Sequence, residues 1–144
     1  MRRREFVQRL PVVASGVLLG ASTVSLAGCA GVPYLVPRTA PGGLVIGRSQ
    51  LGSDGQAFVQ APGMERPVYV RRLASGEVVA VLAACTHQGC QPEPVADRLV
   101  CPCHGSEFSF EGAVLQGPAE RPLTRYMVVE EGDDLVLRLD GGGR

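Results

Sequence analysis

Two short runs of sequence contain nearly all of the soft metal ligands of this chain: "CTHQGC" (residues 85–90) and "CPCHGS" (residues 101–106). The first contains His87 and the second His104, which are the only two histidines of the chain. Four of the five cysteines also lie in these runs, and the fifth, Cys29, lies far upstream. Several transition metals accept thiolate and imidazole ligands together. The two runs therefore predict a metal site built from two loops.

A structural zinc site is the simplest alternative, and the ligand spacing fits it poorly. Zinc sites commonly pair their ligands as C-x₂₋₄-C and H-x₃₋₅-H, whereas a single residue separates Cys85 from His87. Four zinc ligands would also leave Cys90 and Cys103 without a role. A zinc site and a pair of structural disulfides are the alternatives left open.

The two runs closely resemble the cluster-binding motifs of the Rieske iron–sulfur proteins of quinol-oxidising cytochrome complexes and their relatives. The resemblance covers residues from about 43 to 140, and its specificity is concentrated in residues 85–106. It implies one [2Fe–2S] cluster, with two cysteines on one iron and two histidines on the other. The ligands implied are Cys85, His87, Cys101 and His104.

The same resemblance implies roles for residues around the cluster. Cys90 and Cys103 would form a disulfide that ties the two loops together, which requires a compartment where disulfides persist. Ser106 matches a serine whose hydroxyl bonds a bridging sulfide and tunes the potential. Gly117 and Pro118 begin "GPA" (117–119), which is similar to a proline loop that shields the cluster, with an ordinary turn as the alternative.

Two residues depart from the pattern of the high-potential respiratory members. Phe108 stands where many of them have a tyrosine whose hydroxyl bonds a ligand sulfur, and its absence is expected to lower the reduction potential. Gln88 replaces a leucine that packs into the quinol pocket of cytochrome b. These departures also fit a menaquinol-type complex, an arsenite-oxidase-like small subunit or a free-standing periplasmic carrier.

The N-terminus has the plan of an export signal. A basic segment, "MRRREFVQRL", precedes an uncharged stretch over residues 11–28. Arg3, Arg4 and Phe6 resemble the key positions of a twin-arginine signal. The stretch ends in "LAGC" (26–29), which resembles a bacterial lipobox with Cys29 as the lipid-modified residue. A retained transmembrane anchor is the alternative, since the stretch has the minimum length for a span.

Composition and periodicity predict an all-β domain. Short β-like runs such as "GLVIG" (43–47), "QAFVQA" (56–61), "PVYVRRL" (67–73) and "EVVAVLAA" (77–84) are separated by turn residues. A hairpin is predicted over 124–140, with its turn at 132–134. The prediction is a Rieske-type antiparallel β-barrel or sandwich over 43–140, with a small cluster-binding subdomain of two loops. Residues 1–29 are expected to form the signal, and the Pro- and Gly-rich residues 30–42 a linker.

Charge excludes one class of partner. Beyond residue 29 there are ten arginines and thirteen acidic residues, a net charge of about −3, and no basic stripe with interleaved aromatics. Nucleic-acid binding is therefore not expected. Tyr69 and Tyr126, which lie in strand-like runs, are expected to be half-buried core residues rather than functional ones.

These observations predict an exported electron-transfer subunit, rather than a complete enzyme, on the outer face of the cytoplasmic membrane. The expected donor is a quinol bound with a cytochrome b or another redox partner subunit, and the expected acceptor is a c-type cytochrome. The alternatives are the small subunit of an exported molybdenum oxidoreductase and a non-redox lipoprotein stapled by zinc or disulfides.

Overall fold

A computed structural model describes residues 31–143 of the chain, with side chains described for 31–140. The predicted signal and Cys29 lie outside the described residues. Within these residues the fold is all-β, as predicted, with twelve strands and one short 3₁₀-helix, Arg48–Gln50. Within residues 31–143, no helix is long and apolar enough to cross a membrane. The strands are β1 (Tyr34–Leu35), β2 (Arg38–Ala40), β3 (Gly43–Gly47), β4 (Gln56–Val59), β5 (Val68–Arg72), β6 (Val78–Leu82), β7 (Glu93–Val95), β8 (Arg98–Val100), β9 (Glu107–Phe108), β10 (Val114–Gln116), β11 (Arg125–Glu131) and β12 (Asp134–Gly143).

Eight strands form one curled sheet in the order β1-β4-β5-β6-β11-β12-β3-β2. The two end strands of this order, β1 and β2, are consecutive in the chain and are separated only by Val36 and Pro37. Three Cα–Cα steps of about 3.8 Å cover this connection, so the two edges of the sheet lie together and the sheet closes into a barrel. We call residues 34–40 the strap.

Residues 30–42 were predicted to be a linker, and that prediction is wrong for the strap, which contains strands β1 and β2. β1 pairs parallel with β4, and β2 pairs antiparallel with β3. Leu35 packs on the barrel core and Pro37 is buried. Proline and glycine density indicated an extended linker, but an extended chain is also what an edge strand requires, and prolines are tolerated at such edges.

Strands β4, β5 and β6 form a wall with both faces buried. Their side chains alternate between the barrel interior and the subdomain that carries the two cysteine–histidine runs. The barrel face includes Val59, Val68, Val70, Val78 and Ala80. The opposite face includes Phe58, Tyr69, Val79 and Val81, which share one apolar cluster with Cys85 and Cys101. Tyr69 is fully buried, which is more than the half-burial predicted from the sequence, and Tyr126 is partly buried, as predicted.

The second sheet carries the subdomain and has the order β10-β9-β8-β7. Strands β7 and β8 lie between the two runs and were not predicted from the sequence. Each is three residues long, and β7 contains Pro94, so neither shows the alternation that identifies a strand. They bring the second run back beside the first.

The predicted hairpin at the C-terminal end of the domain is present as β11 and β12. The turn lies at Gly132, whose φ of 60° suits glycine, and at Asp133. Strand β12 continues to Gly143, three residues beyond the predicted domain end at 140. Backbone pairing with β11 extends this strand through glycines that carry no strand signal.

Candidate metal centre

The two runs fold into loops with the same backbone hydrogen bonds. In loop 1 (residues 85–90), the N–H of Cys85 donates to the carbonyl of Cys90 at 2.7 Å, and the N–H of Gly89 donates to the carbonyl of Cys85 at 2.7 Å. In loop 2 (residues 101–106), Cys101 and Ser106 form the first bond at 2.8 Å, and Gly105 and Cys101 form the second at 3.0 Å. The two loops are therefore structural copies, although their sequences are not.

A glycine closes each copy at the same position. Gly89 has φ of 75° and Gly105 has φ of 77°, a left-handed conformation that strains other residues. Counted from the first cysteine of each loop, His87 is equivalent in position to Cys103, and Gln88 is equivalent to His104. Ser106 takes the position of Cys90. The two histidines therefore occupy different positions in loops that are otherwise equivalent.

The structure contains the disulfide that the resemblance implied. Cys90 and Cys103 are joined by an S–S bond of 2.02 Å. The bond links loop 1 to loop 2 and closes a segment of 13 residues. Chain-entropy models assign about 3 kcal/mol to a loop of this size.

Cys85 and Cys101 are free thiols, and they are 3% and 1% exposed. Burial alone would raise the pKa of the Cys85 thiol. Hydrogen bonds from the amides of His87 and Gln88, and from the Cys101 and Ser106 side chains, outweigh that effect and lower the pKa. Burial raises the pKa of the Cys101 thiol. Without a bound cation, one thiolate is therefore favoured over two.

The two histidines lie side by side at the exposed tip. The ring centroids of His87 and His104 are 4.9 Å apart and the rings are nearly perpendicular, at 89°. Both side chains are exposed, in contrast to the buried thiols below them. Gln88 is also exposed at this tip. The site thus offers two sulfur atoms from the core side and two imidazoles from the solvent side.

A third segment, residues 117–121, is hydrogen-bonded to both loops. It begins with the cis peptide Gly117–Pro118. The N–H of Ala119 donates to the Ser106 hydroxyl at 3.0 Å, so this segment is attached to loop 2. The Thr86 hydroxyl donates to the carbonyl of Arg121 at 2.5 Å and attaches it to loop 1. Ala119 is buried in the same apolar cluster as the two thiols.

Thr86 was missed by sequence reasoning. It lies inside "CTHQGC", between two residues with stronger chemical signals, and its partner is a backbone carbonyl 35 residues away. A carbonyl has no sequence signature, so only the fold identifies this contact. The Arg98–Glu107 ion pair, at 2.7 Å, is likewise visible only once β8 and β9 are known to flank loop 2.

Phe108 is fully buried directly behind the site. It follows loop 2 on β9, pairs with Leu99 on β8 and belongs to the apolar cluster that contains both free thiols. The ring fills space without offering a hydrogen-bond donor. Among residues 31–140, no buried side-chain nitrogen or oxygen lacks a hydrogen-bond partner.

A zinc site made of cysteines alone does not fit these sulfurs. Those of Cys90, Cys101 and Cys103 lie within 4.8 Å of one another. Two of the three are spent in the disulfide, which leaves one thiol for a metal. The available donor set is two free thiols and two imidazoles, one of each per loop, which is the set that a [2Fe–2S] cluster with mixed ligation requires.

Residues 44–127, which include both loops and the third segment, match the family model of the Rieske [2Fe-2S] domain. The chain belongs to the Rieske family. A Rieske domain binds a [2Fe–2S] cluster, and the donor set described above fits that group.

Two relatives of this Rieske protein are named as iron–sulfur subunits of cytochrome b6-f complexes. The cytochrome b6-f complex iron-sulfur subunit of Chlorobaculum tepidum is 30% identical over 143 residues, which covers 95% of this chain and 75% of the relative. The cytochrome b6-f complex iron-sulfur subunit 2 of Synechocystis is 31% identical over 155 aligned positions. The alignment covers 94% of this chain and 83% of the relative. The crystal structure of a cyanobacterial plasma membrane Rieske protein from Synechocystis PCC 6803 has a TM-score of 0.57 and 36% identity, covering 65% of this chain and 96% of that protein.

Proposed function

We propose that this Rieske protein is the iron–sulfur subunit of a quinol-oxidising complex of the cytochrome b6f or bc type. It takes electrons one at a time from a quinol and passes them to a c-type cytochrome or a partner subunit. The observation that carries the proposal is the pairing of two exposed imidazoles with two buried thiols on matching loops. The names of the relatives support the assignment to this type of complex.

The ligands of the cluster are assigned by burial and chemistry. Cys85 and Cys101 would hold one iron as thiolates, and His87 and His104 would hold the other through imidazoles. Replacing two thiolates by two neutral rings makes the centre less negative, so it supplies one-electron chemistry at a higher potential than a four-cysteine cluster. The amides of His87 and Gln88 and the Ser106 hydroxyl already point at the Cys85 sulfur.

The exposed histidines are the contact point for the donor. Each imidazole would use one nitrogen for iron and would keep the other available at the surface. That second nitrogen would bind a quinol oxygen and would lose or gain a proton as the centre changes its oxidation state, which would couple proton and electron transfer at one location. The thiols do not reach solvent, so the histidine edge is the route for contact.

An EPR spectrum of the dithionite-reduced protein tests the cluster. We expect the low average g value of a histidine-ligated [2Fe–2S] centre, and this signal should be lost in His87→Ala and His104→Ala. Gln88→Ala is the matched control, because it removes an exposed neighbour on the same loop that binds no iron. A wild-type spectrum from either histidine variant would refute the ligand assignment.

Quinol oxidation in native membranes tests the complex. The expected result is co-purification with a cytochrome b and loss of quinol:cytochrome c activity in the His104→Ala strain. The second candidate, the small subunit of a molybdenum oxidoreductase, is favoured by Gln88 at the tip and Phe108 behind the site. Co-purification with a molybdenum subunit and no cytochrome b would establish that second candidate instead.

The membrane attachment and location are part of the same proposal. Cys29 carries a lipid after export through the twin-arginine route, and the domain lies on the outer face of the cytoplasmic membrane. Export of a folded protein suits a cluster that is inserted in the cytoplasm, and the disulfide suits the oxidising side. We expect Cys29→Ser to release the protein from membranes at low detergent. Continued attachment would indicate a retained helix.

A further inference from the structure

The Cys90–Cys103 disulfide has no part in cluster binding, yet it lies close to the proposed ligand Cys101. The sulfurs of Cys101, Cys90 and Cys103 all lie within 4.8 Å of one another. Cys90 and Cys103 are joined as a disulfide, and Cys101 is a free thiol. A free thiol beside a disulfide supplies both sulfur reactants of thiol–disulfide exchange, which requires no external oxidant.

We propose that when the cluster is absent, Cys101 exchanges with the Cys90–Cys103 disulfide, so that Cys101 is lost as a ligand. The inference rests on the proposed function, in which Cys101 holds iron and is thereby unavailable for attack. It adds that the cluster and the disulfide must be assembled in a fixed order, because the disulfide without the cluster is not stable as Cys90–Cys103.

The exchange is balanced without a co-reactant. The Cys101 thiol gives up its proton as its sulfur attacks the Cys90 sulfur and forms a Cys90–Cys101 bond. The Cys90–Cys103 bond breaks, and its electron pair leaves on the Cys103 sulfur. Cys103 then takes up a proton equivalent to the one that Cys101 lost. One disulfide and one thiol are consumed, and one of each is formed.

The exposure of the leaving sulfur favours attack on Cys90 over attack on Cys103. Cys103 is exposed, so water stabilises it as the leaving thiolate, whereas Cys90 is half-buried. The product still links loop 1 to loop 2, which keeps the entropy gain of the cross-link. Attack on Cys103 would instead join residues 101 and 103 within one loop and release the cross-link.

The consequence is a site that does not reload once it has lost its cluster. Cys101 in the new disulfide has no thiolate to offer, and the free Cys103 faces solvent. Iron and sulfide are then insufficient to restore the centre, and a dithiol reductant is needed first. Cluster insertion before disulfide formation, as export of a folded protein allows, avoids this trap.

Disulfide mapping after iron removal tests the exchange. The holoprotein is treated with a chelator under argon, and samples are acid-quenched, alkylated and digested with trypsin. Cleavage after Arg72, Arg98 and Arg125 yields peptides 73–98 and 99–125, which carry two cysteines each. Fragmentation of the linked pair identifies the joined residues. We expect the link to move from Cys103 to Cys101 over minutes to hours, the ordinary range for uncatalysed rearrangement.

An unchanged Cys90–Cys103 link with alkylated Cys101 would overturn the proposal, as would a link within peptide 99–125. Recovery of the cluster from the chelated protein with ferrous iron and sulfide alone would also contradict it. We expect recovery only after dithiothreitol.

Two cluster-free variants form a matched pair. Cys85→Ser removes one proposed ligand and leaves Cys101, so it should show the exchanged link. Cys101→Ser removes the attacking sulfur and should keep Cys90–Cys103. If either variant fails to fold, the map of the chelated wild-type protein decides the question. A purified protein that contains no iron and shows no Rieske spectrum would refute the proposed function. The exchange would then be judged by disulfide mapping of that protein.

Discussion

At the scale of single residues, the matching loops show which positions are set by the backbone and which by chemistry. The glycines at 89 and 105 are required by the backbone, because both loops turn there with positive φ. The fifth position after the first cysteine is not so constrained, since it holds Cys90 in loop 1 and Ser106 in loop 2. One fold position thus provides a cross-link in one loop and a hydroxyl beside the Cys85 sulfur in the other.

Ser106 is expected to affect both the potential and the stability. It is fully buried, accepts the Ala119 N–H at 3.0 Å and donates toward Cys85. Ser106→Ala removes a donor to sulfur, which lowers the midpoint potential, and it leaves a buried N–H unpaired at a cost of about 1–3 kcal/mol. Redox titration and denaturant unfolding measure the two effects.

Ser109→Ala is the control for that substitution. Its hydroxyl also accepts a backbone N–H, that of Ala113 at 3.2 Å, but it does not bond a thiol of the site. We expect a smaller loss of stability and an unchanged potential. Equal potentials for Ser106→Ala and the wild type would show that the hydroxyl does not act on the cluster.

Phe108→Tyr is expected to raise the midpoint potential. A hydroxyl directed at a ligand sulfur stabilises the more negative, reduced state. A hydrogen bond stronger by about 1.4 kcal/mol in that state corresponds to about 59 mV for one electron. Protein-film voltammetry measures this shift. A potential equal to that of the wild type would place the new hydroxyl out of reach of sulfur.

At the scale of elements, the sequence predicted the strands that alternate or that are continuously apolar, and missed those that do neither. The run 43–47 coincides with β3, and the predicted hairpin coincides with β11 and β12 to within a few residues. The missed strands are β1, β2, β7 and β8, each of two or three residues. Their existence depends on neighbouring strands that lie far away in sequence, which local patterns do not contain.

The strap provides the clearest test at this scale. Leu35 faces the barrel core, whereas its neighbour Val36 is 75% exposed. Leu35→Ala should reduce the free energy of unfolding by about 2 kcal/mol through lost burial. Val36→Ala should change it by less than about 0.5 kcal/mol. Similar losses from both variants in denaturant titrations would show that the strap does not pack in this orientation.

At the scale of the whole molecule, the site was more predictable than the frame that holds it. The four proposed ligand positions and the two disulfide positions are predicted from two runs, because thiols and imidazoles are rare in this chain and their spacing is constrained by chemistry. The Cys90–Cys103 disulfide is confirmed by the structure. The attachment of segment 117–121 to both loops was not predictable, since it uses backbone groups and two hydroxyls whose partners only the fold defines.

Global stability should decline in alkaline solution because of the buried tyrosines. Burial raises the pKa of Tyr69 above its ordinary value of 10.0, although Arg71 opposes the effect, and burial also raises that of Tyr126. Above pH 10 the unfolded chain loses protons that the folded chain retains. Stability is therefore full below that pH and falls as pH rises, by up to about 1.4 kcal/mol per pH unit for each tyrosine.

Tyr69→Phe is the variant that checks this slope. It is less stable at neutral pH, because the phenol donates to Gln56 at 2.5 Å, but its stability should fall less steeply above pH 10. Denaturant titrations at a series of pH values compare the two slopes. Parallel slopes would mean that Tyr69 ionises equally in both states.

The position of the strap determines where this protein is safely shortened. A recombinant fragment that starts at residue 43, near the beginning of the family match, would lack the segment that covers β3 and β4. Both strands would then present unpaired backbone groups, and each is a template for joining another molecule edge to edge. Such a fragment should form soluble oligomers or precipitate even with its two loops intact. A fragment that starts at Gly31 should remain monomeric in size-exclusion chromatography.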